Sequence, residues 1–467
     1  MGIKKGIVYV FIANAINLII GLFTGFVLPK LLSVDTYANI RLFQLYVSYV
    51  TVLHLGFSDG MYLRLGGKSI DKVDKKEVRE EFKTFKIFQV IEAIIAIIIS
   101  LILKNQILLF CALVILPINI GDYLRQVYQA TGLFKKYSIF TNVNTVLIFV
   151  VNVLLLLVIK TDDSIKYIVG YIIVYMIYWI SIEIEARKIF GKEKVKANIK
   201  YFVQNIRSGF LLLIGNFCNN IFTGIDRIFV QALLGKIKFA VYSFAASIEN
   251  LMSVFVTPIS TVMYNYLSNR NGRDDVLRIK KIIVLLAAII IAVVFPAKFV
   301  IQTWIQKYND VLNVLFILFA AQYITIMVRC VHINTYKVRK QQQKYFIIML
   351  FIVGLSVILN IILFLMFRSI EAIAVATLIT STVWFIIGEI DFKEYRLDLK
   401  NYIFIFSILI IFLICGQIPN SIIGCIAYVI SAIVISFVLM KDAIKMTLTE
   451  GKDLVMQVVK NKSKQVN

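Results

Sequence analysis

Fourteen apolar stretches follow one another along the chain, at residues 7–32, 37–65, 82–103, 107–131, 138–159, 165–186, 206–234, 239–267, 282–304, 311–335, 345–367, 370–390, 402–417 and 421–440. At ~1.5 Å per residue, about 20 apolar residues cross a ~30 Å hydrocarbon core, so most qualify outright and the last two only marginally. The pattern predicts an all-α polytopic membrane protein with about 14 transmembrane helices, twelve being the fallback count.

Basic residues collect in every second gap. With the first residues placed inside and basic residues near some span ends counted with the adjoining gap, the cytoplasmic side holds 34 of the 50 Lys and Arg, the outer side nine, and the spans the remaining seven. Lys and Arg in short loops are retained on the cytoplasmic side, so both termini are expected there. The first apolar run is longer than a signal-peptide core, and no small-x-small site precedes Asp35, so it reads as an uncleaved first span. A net charge of +23 is thereby assigned to the membrane surface; nucleic acid is not an expected partner, because the charge forms no contiguous, aromatic-interleaved groove.

What the gaps omit narrows the function. The longest cytoplasmic segments, 66–81, 187–204 and the tail from 441, are too short for a soluble domain, and no G-x-x-x-x-G-K-[ST] phosphate cradle occurs. Two histidines, His54 and His332, cannot build a triad or metal cluster, and the five cysteines lie in apolar stretches without ligand spacing. No metal, cofactor or catalytic residue is expected. Movement of a substrate is left.

Six stretches precede the longest internal basic segment, 187–207, and an even number per half gives both halves the same orientation. The expected organisation is a six-helix lobe at 1–190, a cytoplasmic linker at 191–204, a second six-helix lobe at 205–400, two additional helices at 401–440 and a basic cytoplasmic tail at 441–467. An offset of about 202 residues supports a parallel repeat: Asn17 meets Asn219, Leu31-Leu32-Ser33 meets Leu233-Leu234-Gly235, and Tyr37-Ala38 meets Phe239-Ala240. Arg125 with Thr131 and Lys136-Tyr137 is similarly echoed by Arg329 with Thr335 and Lys344-Tyr345.

Three passages carry a family resemblance: Leu55-Gly56-Phe57-Ser58-Asp59-Gly60-Met61-Tyr62-Leu63-Arg64-Leu65-Gly66-Gly67 at the exit of span two; Arg125-Gln126-Val127-Tyr128-Gln129-Ala130-Thr131-Gly132-Leu133-Phe134-Lys135-Lys136-Tyr137 at the exit of span four; and Ile225-Asp226-Arg227-Ile228 with Gly235 and Tyr242-Ser243 around span seven. With the helix plan, they make the chain resemble the multidrug/oligosaccharidyl-lipid/polysaccharide (MOP) exporter superfamily, in its polysaccharide (Wzx-type) flippase branch. The resemblance implies two parallel six-helix lobes around a central cleft. It also implies translocation of polyprenyl-diphosphate-linked repeat units from the cytoplasmic to the outer leaflet of a bacterial inner membrane, for O-antigen or capsule. Lipid-linked oligosaccharide and membrane lipids are the implied partners, with a polysaccharide polymerase and chain-length proteins beside them.

Ionised side chains at membrane depth are costly and mark candidate sites. Arg227 and Arg329 have no carboxylate three or four residues away, which leaves a cavity, another helix or an anionic ligand to receive them. A planar guanidinium suits diphosphate because it binds two oxygens at once. Arg125, with Asp122 three residues earlier, divides evenly between an ion pair and a substrate contact, and Arg41 completes the candidate substrate set although it can snorkel outward. Glu249 and Glu92 are the deepest acids and the candidates for proton coupling, against a neutral structural role. Asp59, Gly60 and Arg64 at the end of span two are the candidate gate or hinge, set against helix packing through Gly56 and Gly60 and snorkelling of Arg64.

A multidrug or cation antiporter of the same fold is the alternative, disfavoured because span one carries Asn14 and Asn17 and no carboxylate. A peptidoglycan-precursor flippase shares the cationic expectation and stays open. A membrane polysaccharide polymerase is disfavoured by the short outer gaps.

Overall fold

The computed structural model describes residues 18–66, 68, 70–269 and 272–445. The start of the first expected span, with Asn14 and Asn17, and the basic tail beyond residue 445 lie outside the described residues. The described chain is almost wholly helical, as it must be where lipid offers the backbone no hydrogen-bond partner. Short polar residues in the gaps start the helices. Ser33, Asp74, Asn105, Asp163, Ser369 and Asn420 each accept a hydrogen bond from a first-turn backbone N–H, satisfying donors otherwise orphaned at a helix end.

Among the described residues, 11 helices are long and apolar enough to cross a membrane, or up to 12 with a bent pair taken as one span. This falls short of the expected fourteen, and the difference has three local sources. The first stretch is described from residue 18 on, and that part forms the shorter apolar helix Leu18–Leu31. The second is bent by 59° between Val34–His54 and Phe57–Leu65. The seventh and eighth run together as Ile199–Asn250, with non-helical geometry at Gly235.

The bend in span two is chemically sealed. Thr51–His54 tighten into a 3-10 turn, and Leu55 and Gly56 adopt left-handed backbone, with φ of 47° and 86°. A helix broken there frees carbonyls at membrane depth, and side-chain amides take them: Asn119 donates to the Val50 carbonyl at 3.3 Å and Gln89 to that of Leu53 at 3.5 Å. Asn119 also donates to Gln89 Oε1 at 2.6 Å, and Gln89 to Glu92 Oε2 at 2.8 Å. Spans three and four therefore carry polar residues that satisfy the break, as buried backbone requires.

At Gly235 the chain turns back on itself. Tyr242 Oη donates to Asp226 Oδ2 at 2.8 Å across 16 residues, whereas an unbroken helix would hold positions that far apart at about 24 Å. Gly235, at φ 81° and ψ −179°, supplies a conformation closed to side-chain-bearing residues. Residues 199–234 and 236–250 are consequently two helices joined by a tight turn.

Packing divides the chain into two compact units, Met1–Gly224 and Ile225–Asn467. In the first unit, 61% of the apolar 18-residue core of Gln106–Ala130 is buried, against 11% for that of Phe134–Val158; in the second, the figure for Gln306–Val338 is 78%. These enclosed helices are the fourth and tenth expected spans, which the internal repeat pairs. Thr131 and Thr335 within the paired passages each donate to the carbonyl four residues back at 2.8 Å. Likewise Ser33 and Gly235, matched by the repeat offset, both stand at the turn after a first helix, and Tyr37, Ala38, Phe239 and Ala240 are all buried.

Leu399–Gln417 and Ser421–Leu439 pack on the second unit through a cluster of Phe295, Phe316, Phe412 and Tyr428. Lys298 is buried among them and donates to the carbonyls of Gly416 at 2.9 Å and Ile418 at 2.6 Å. A lysine at a helix C-terminus satisfies orphan carbonyls and complements the helix dipole.

Candidate functional site

Within the second unit, Asp226 and Arg227 on one side of the Gly235 turn share electrostatic surroundings with Glu249 near the end of the returning helix and Arg329 from span ten. Gln322 Nε2 donates to Glu249 Oε1 at 2.5 Å. Asp226 is buried and committed: it accepts from Tyr242 Oη at 2.8 Å and from the Arg227 backbone N–H at 2.7 Å. Arg227, Glu249 and Arg329 are only half-buried. The arrangement couples two guanidinium groups, able to fork onto phosphate or carboxylate oxygens, to a carboxylate whose charge state changes their net field.

The backbone beneath Arg329 is irregular. Val328–His332 forms a π-helical turn inside span ten, and such turns displace a side chain from the register of the flanking helix. Ser260 Oγ donates to the Arg329 carbonyl at 3.2 Å, and Asn334 Nδ2 donates to the carbonyls of Ser260 at 2.8 Å and Cys330 at 3.0 Å. Helix Ser253–Asn269 is thereby tied to the π turn, and the carbonyls that the turn loosens are satisfied.

Below it in the same unit lies a second ionic group that the sequence did not single out. Lys280 and Glu389 form a buried ion pair, His332 Nε2 lies 2.8 Å from Glu389 Oε1, and Tyr402 Oη donates to Glu389 Oε2 at 2.5 Å. Lys280 also donates to the Tyr395 carbonyl at 2.9 Å, and Arg396 Nε to the Glu389 carbonyl at 2.9 Å. Gly388 makes room, since a Cβ there would collide with the His332 ring. Both Glu389 oxygens and the Lys280 ammonium are held within the cluster, and only His332 Nδ1 is buried there without a hydrogen-bond partner, which suits a structural lock better than a ligand site.

A family model described as polysaccharide biosynthesis protein matches residues 3–270, more than half of the 467-residue chain. The chain belongs to that family. Among solved structures, it is similar to the lipid II flippase MurJ in an inward closed conformation, at 16% identity and a TM-score of 0.71, with 94% of this chain and 100% of that one covered. An inward-facing multidrug resistance MATE family transporter of the MOP superfamily aligns at 12% identity and a TM-score of 0.56, covering 81% of this chain and 94% of that one. A MOP superfamily transporter from Pyrococcus furiosus Vc1, described by the reverse polarity of its binding pocket, aligns at 12% identity and 0.51, covering 83% and 96%. No curated protein matches the sequence. These likenesses, at 12–16% identity, show that this member of the polysaccharide biosynthesis family shares its fold with those proteins.

The other predicted site residues of this family member sit in the first unit, mostly with partners. Arg41 donates to Tyr37 Oη at 2.8 Å, to Gln44 Oε1 at 3.0 Å and to the Thr24 carbonyl at 3.3 Å. Arg125 pairs with Asp122 at 2.8 Å, the local ion pair weighed from the sequence. Glu92 ends the amide relay that seals span two. Arg64 reaches Glu77 at 2.6 Å and also pairs with the fully buried Glu81, to which Asn205 donates. Asp59 lies 3.8 Å from His54 Nε2 and accepts from Asn216 at 3.3 Å, while Gly60 packs directly on the Asn205 backbone. Glu81, Asn205 and Gly209, the last with no room for a Cβ against the Gly56 carbonyl, are the residues that pack on this end of span two and that the sequence did not single out. The i, i+4 spacing of Gly56 and Gly60 was a sign of close helix packing, but the sequence did not name the helix that fills the gap.

Proposed function

We propose that this transporter carries polyprenyl-diphosphate-linked oligosaccharide repeat units from the cytoplasmic to the outer leaflet of a bacterial inner membrane, for a surface polysaccharide of the O-antigen or capsule type. The observation that carries the reading is that half-buried Arg227 and Arg329 both act electrostatically on Glu249, in a member of the polysaccharide biosynthesis family. Two planar guanidinium groups match the oxygens of a diphosphate, and Glu249, held by Gln322, competes with that anion for them. Proton uptake by Glu249 would strengthen diphosphate binding and its loss would favour release. Arg41 and Arg125 are secondary substrate contacts that exchange their present partners for the anion, Glu92 is a second proton site, and Asp59, Gly60 and Arg64 form the gate.

The same reading has fourteen crossings: the Gly235 turn gives two helices in place of one, the bent pair is one span, and Leu18–Leu31 closes the count. The lobes are 1–190 and 205–400, joined by the cytoplasmic segment 191–204 and followed by two more helices, with both termini cytoplasmic. Deleting the gene tests the substrate class. Surface polysaccharide should disappear while lipid-linked repeat units build up on the inner leaflet. Normal display with new sensitivity to cationic drugs would replace this reading with an antiporter, and arrested peptidoglycan synthesis would replace it with a precursor flippase.

A further inference from the structure

The helix that opens span seven is fixed on one face and open on the other. Residues 191–198 run beside Lys75–Ile102, where Arg79 pairs with Glu193 at 2.5 Å, Lys83 donates to the Val195 carbonyl at 2.6 Å, and the Asn198 N–H donates to Thr84 Oγ1 at 2.9 Å. Two turns on, Asn205 is buried and donates to Glu81, and a Cβ on Gly209 would collide with the Gly56 carbonyl. Asn198, Asn205 and Gly209 therefore nail one face of this helix to the first unit.

The opposite face borders an open surface cavity of about 720 Å³, lined among the described residues by Lys200, Val203, Gln204, Arg207 and Ser208. Those positions recur at the three- and four-residue spacing of one helical face, and all five are exposed. Two are cationic, two are neutral hydrogen-bonding groups and none is acidic. Among the described residues no ion pair involves Lys200 or Arg207, and the nearby Glu81 is taken by Arg64 and Asn205. Lys200 and Arg207 lie about 10 Å apart along the axis, a separation that two long basic side chains close from either end. Beyond Ser208 the exposed surface turns apolar at Leu211. Charge followed by grease along one face is the profile of an anionic lipid lying head towards Lys200 and tail towards Leu211.

We infer that this cavity is a headgroup site for a lipid-borne diphosphate, with Lys200 and Arg207 as its anion contacts and Gln204 and Ser208 as hydrogen-bonding partners. The inference rests on the flippase reading, and adds to it a cytoplasmic-end receiving site distinct from Arg227 and Arg329. The same chemistry would accept the phosphate of a bulk phospholipid, so the test separates the two sources.

The full chain in nanodiscs is titrated with a polyprenyl diphosphate, the matching monophosphate and phosphatidylglycerol, and bound lipid is read by native mass spectrometry. Lys200→Ala with Arg207→Ala should weaken diphosphate binding about tenfold or more, affect the monophosphate less, and leave phosphatidylglycerol unchanged. Lys200→Arg should bind like the unaltered protein. Both residues are exposed, so an unshifted thermal unfolding midpoint shows that the fold survives, and the single variant Arg207→Gln repeats the comparison with a smaller change. Diphosphate affinity unchanged in the double variant, with binding by the unaltered protein intact, overturns the site and leaves the flippase reading standing. Equal losses for diphosphate and phosphatidylglycerol overturn it in favour of a bulk-lipid site. An unaltered protein that binds no lipid diphosphate overturns both.

Discussion

Gln322 Nε2 donates to Glu249 Oε1 at 2.5 Å, and through that bond the most enclosed helix of the second unit holds a carboxylate that lies within the electrostatic reach of Arg227 and Arg329. A carboxylate anchored by a neutral amide keeps its position when its charge changes, which is what a proton-responsive group requires. Glu249→Gln keeps the shape and removes the charge. Transport of lipid-linked oligosaccharide into proteoliposomes should become insensitive to pH between the mildly acidic and mildly alkaline ranges, with normal protein in the membrane. An unaltered pH profile would remove Glu249 from the mechanism without touching the substrate assignment.

Arg227 and Arg329 distinguish a charge requirement from a geometric one. Lysine retains the charge but loses the planar fork, so Arg227→Lys and Arg329→Lys should each retain part of the transport activity, whereas alanine at either position should abolish it. Polysaccharide display in a deletion strain complemented with each variant, normalised to membrane protein level, gives the comparison. Full export by both alanine variants would sink the diphosphate clamp.

Sidedness is checked independently by reporter fusions. Those at Lys75, Lys194 and Lys340 should report cytoplasm, and those at Asp35, Asp162 and Lys307 the outer side, because the basic residues are so distributed. Opposite sides for Lys194 and Lys340 would refute the parallel two-lobe plan.

Helices and their starts were legible because both are local: an apolar run needs internal hydrogen bonds in lipid, and the capping residue precedes the turn that it satisfies. The breaks were not. The 3-10 turn at Thr51–His54 persists because Gln89 and Asn119, 36 and 69 residues from the carbonyls they satisfy, meet there, and the π turn at Val328–His332 leaves the apolar pattern almost unchanged. Arg227, Arg329 and Glu249 could be picked out as candidates from depth and missing local partners. Lys280 could not, since the loop tally placed it on the cytoplasmic surface while its buried partner Glu389 lies in a different span. Lys298 was hidden too, as a basic residue near the outer end of stretch 282–304 whose carbonyl partners lie some 120 residues away.

The Gly60 contact predicts an asymmetric sensitivity. Cβ atoms at Gly60 and Gly209 would each meet backbone, of Asn205 and Gly56 respectively, which cannot swing aside. Gly60→Ala and Gly209→Ala should lower the thermal unfolding midpoint of the solubilised protein or prevent its accumulation. Gly215→Ala on the same helix, where a Cβ meets nothing within 4 Å, should be neutral. Equal behaviour of all three would mean that close packing does not hold span two to span seven.

The Lys280–Glu389 pair separates the value of a buried charge from that of its partner. Both side chains are nearly inaccessible, and Glu389 is also bonded by His332 and Tyr402. Removing one charge from such a pair strands the other in low dielectric, a loss of roughly 3–5 kcal/mol, whereas removing both together costs far less because no bare ion remains. Glu389→Gln and Lys280→Met should therefore each destabilise the protein strongly, and the double variant should recover most of the loss in a thermal double-mutant cycle. Tyr402→Phe, which deletes one hydrogen bond and no charge, should cost only about 1–3 kcal/mol. Additive losses in the double variant would show that the two charges are solvated separately, and the lock assigned to this cluster would then have to be abandoned.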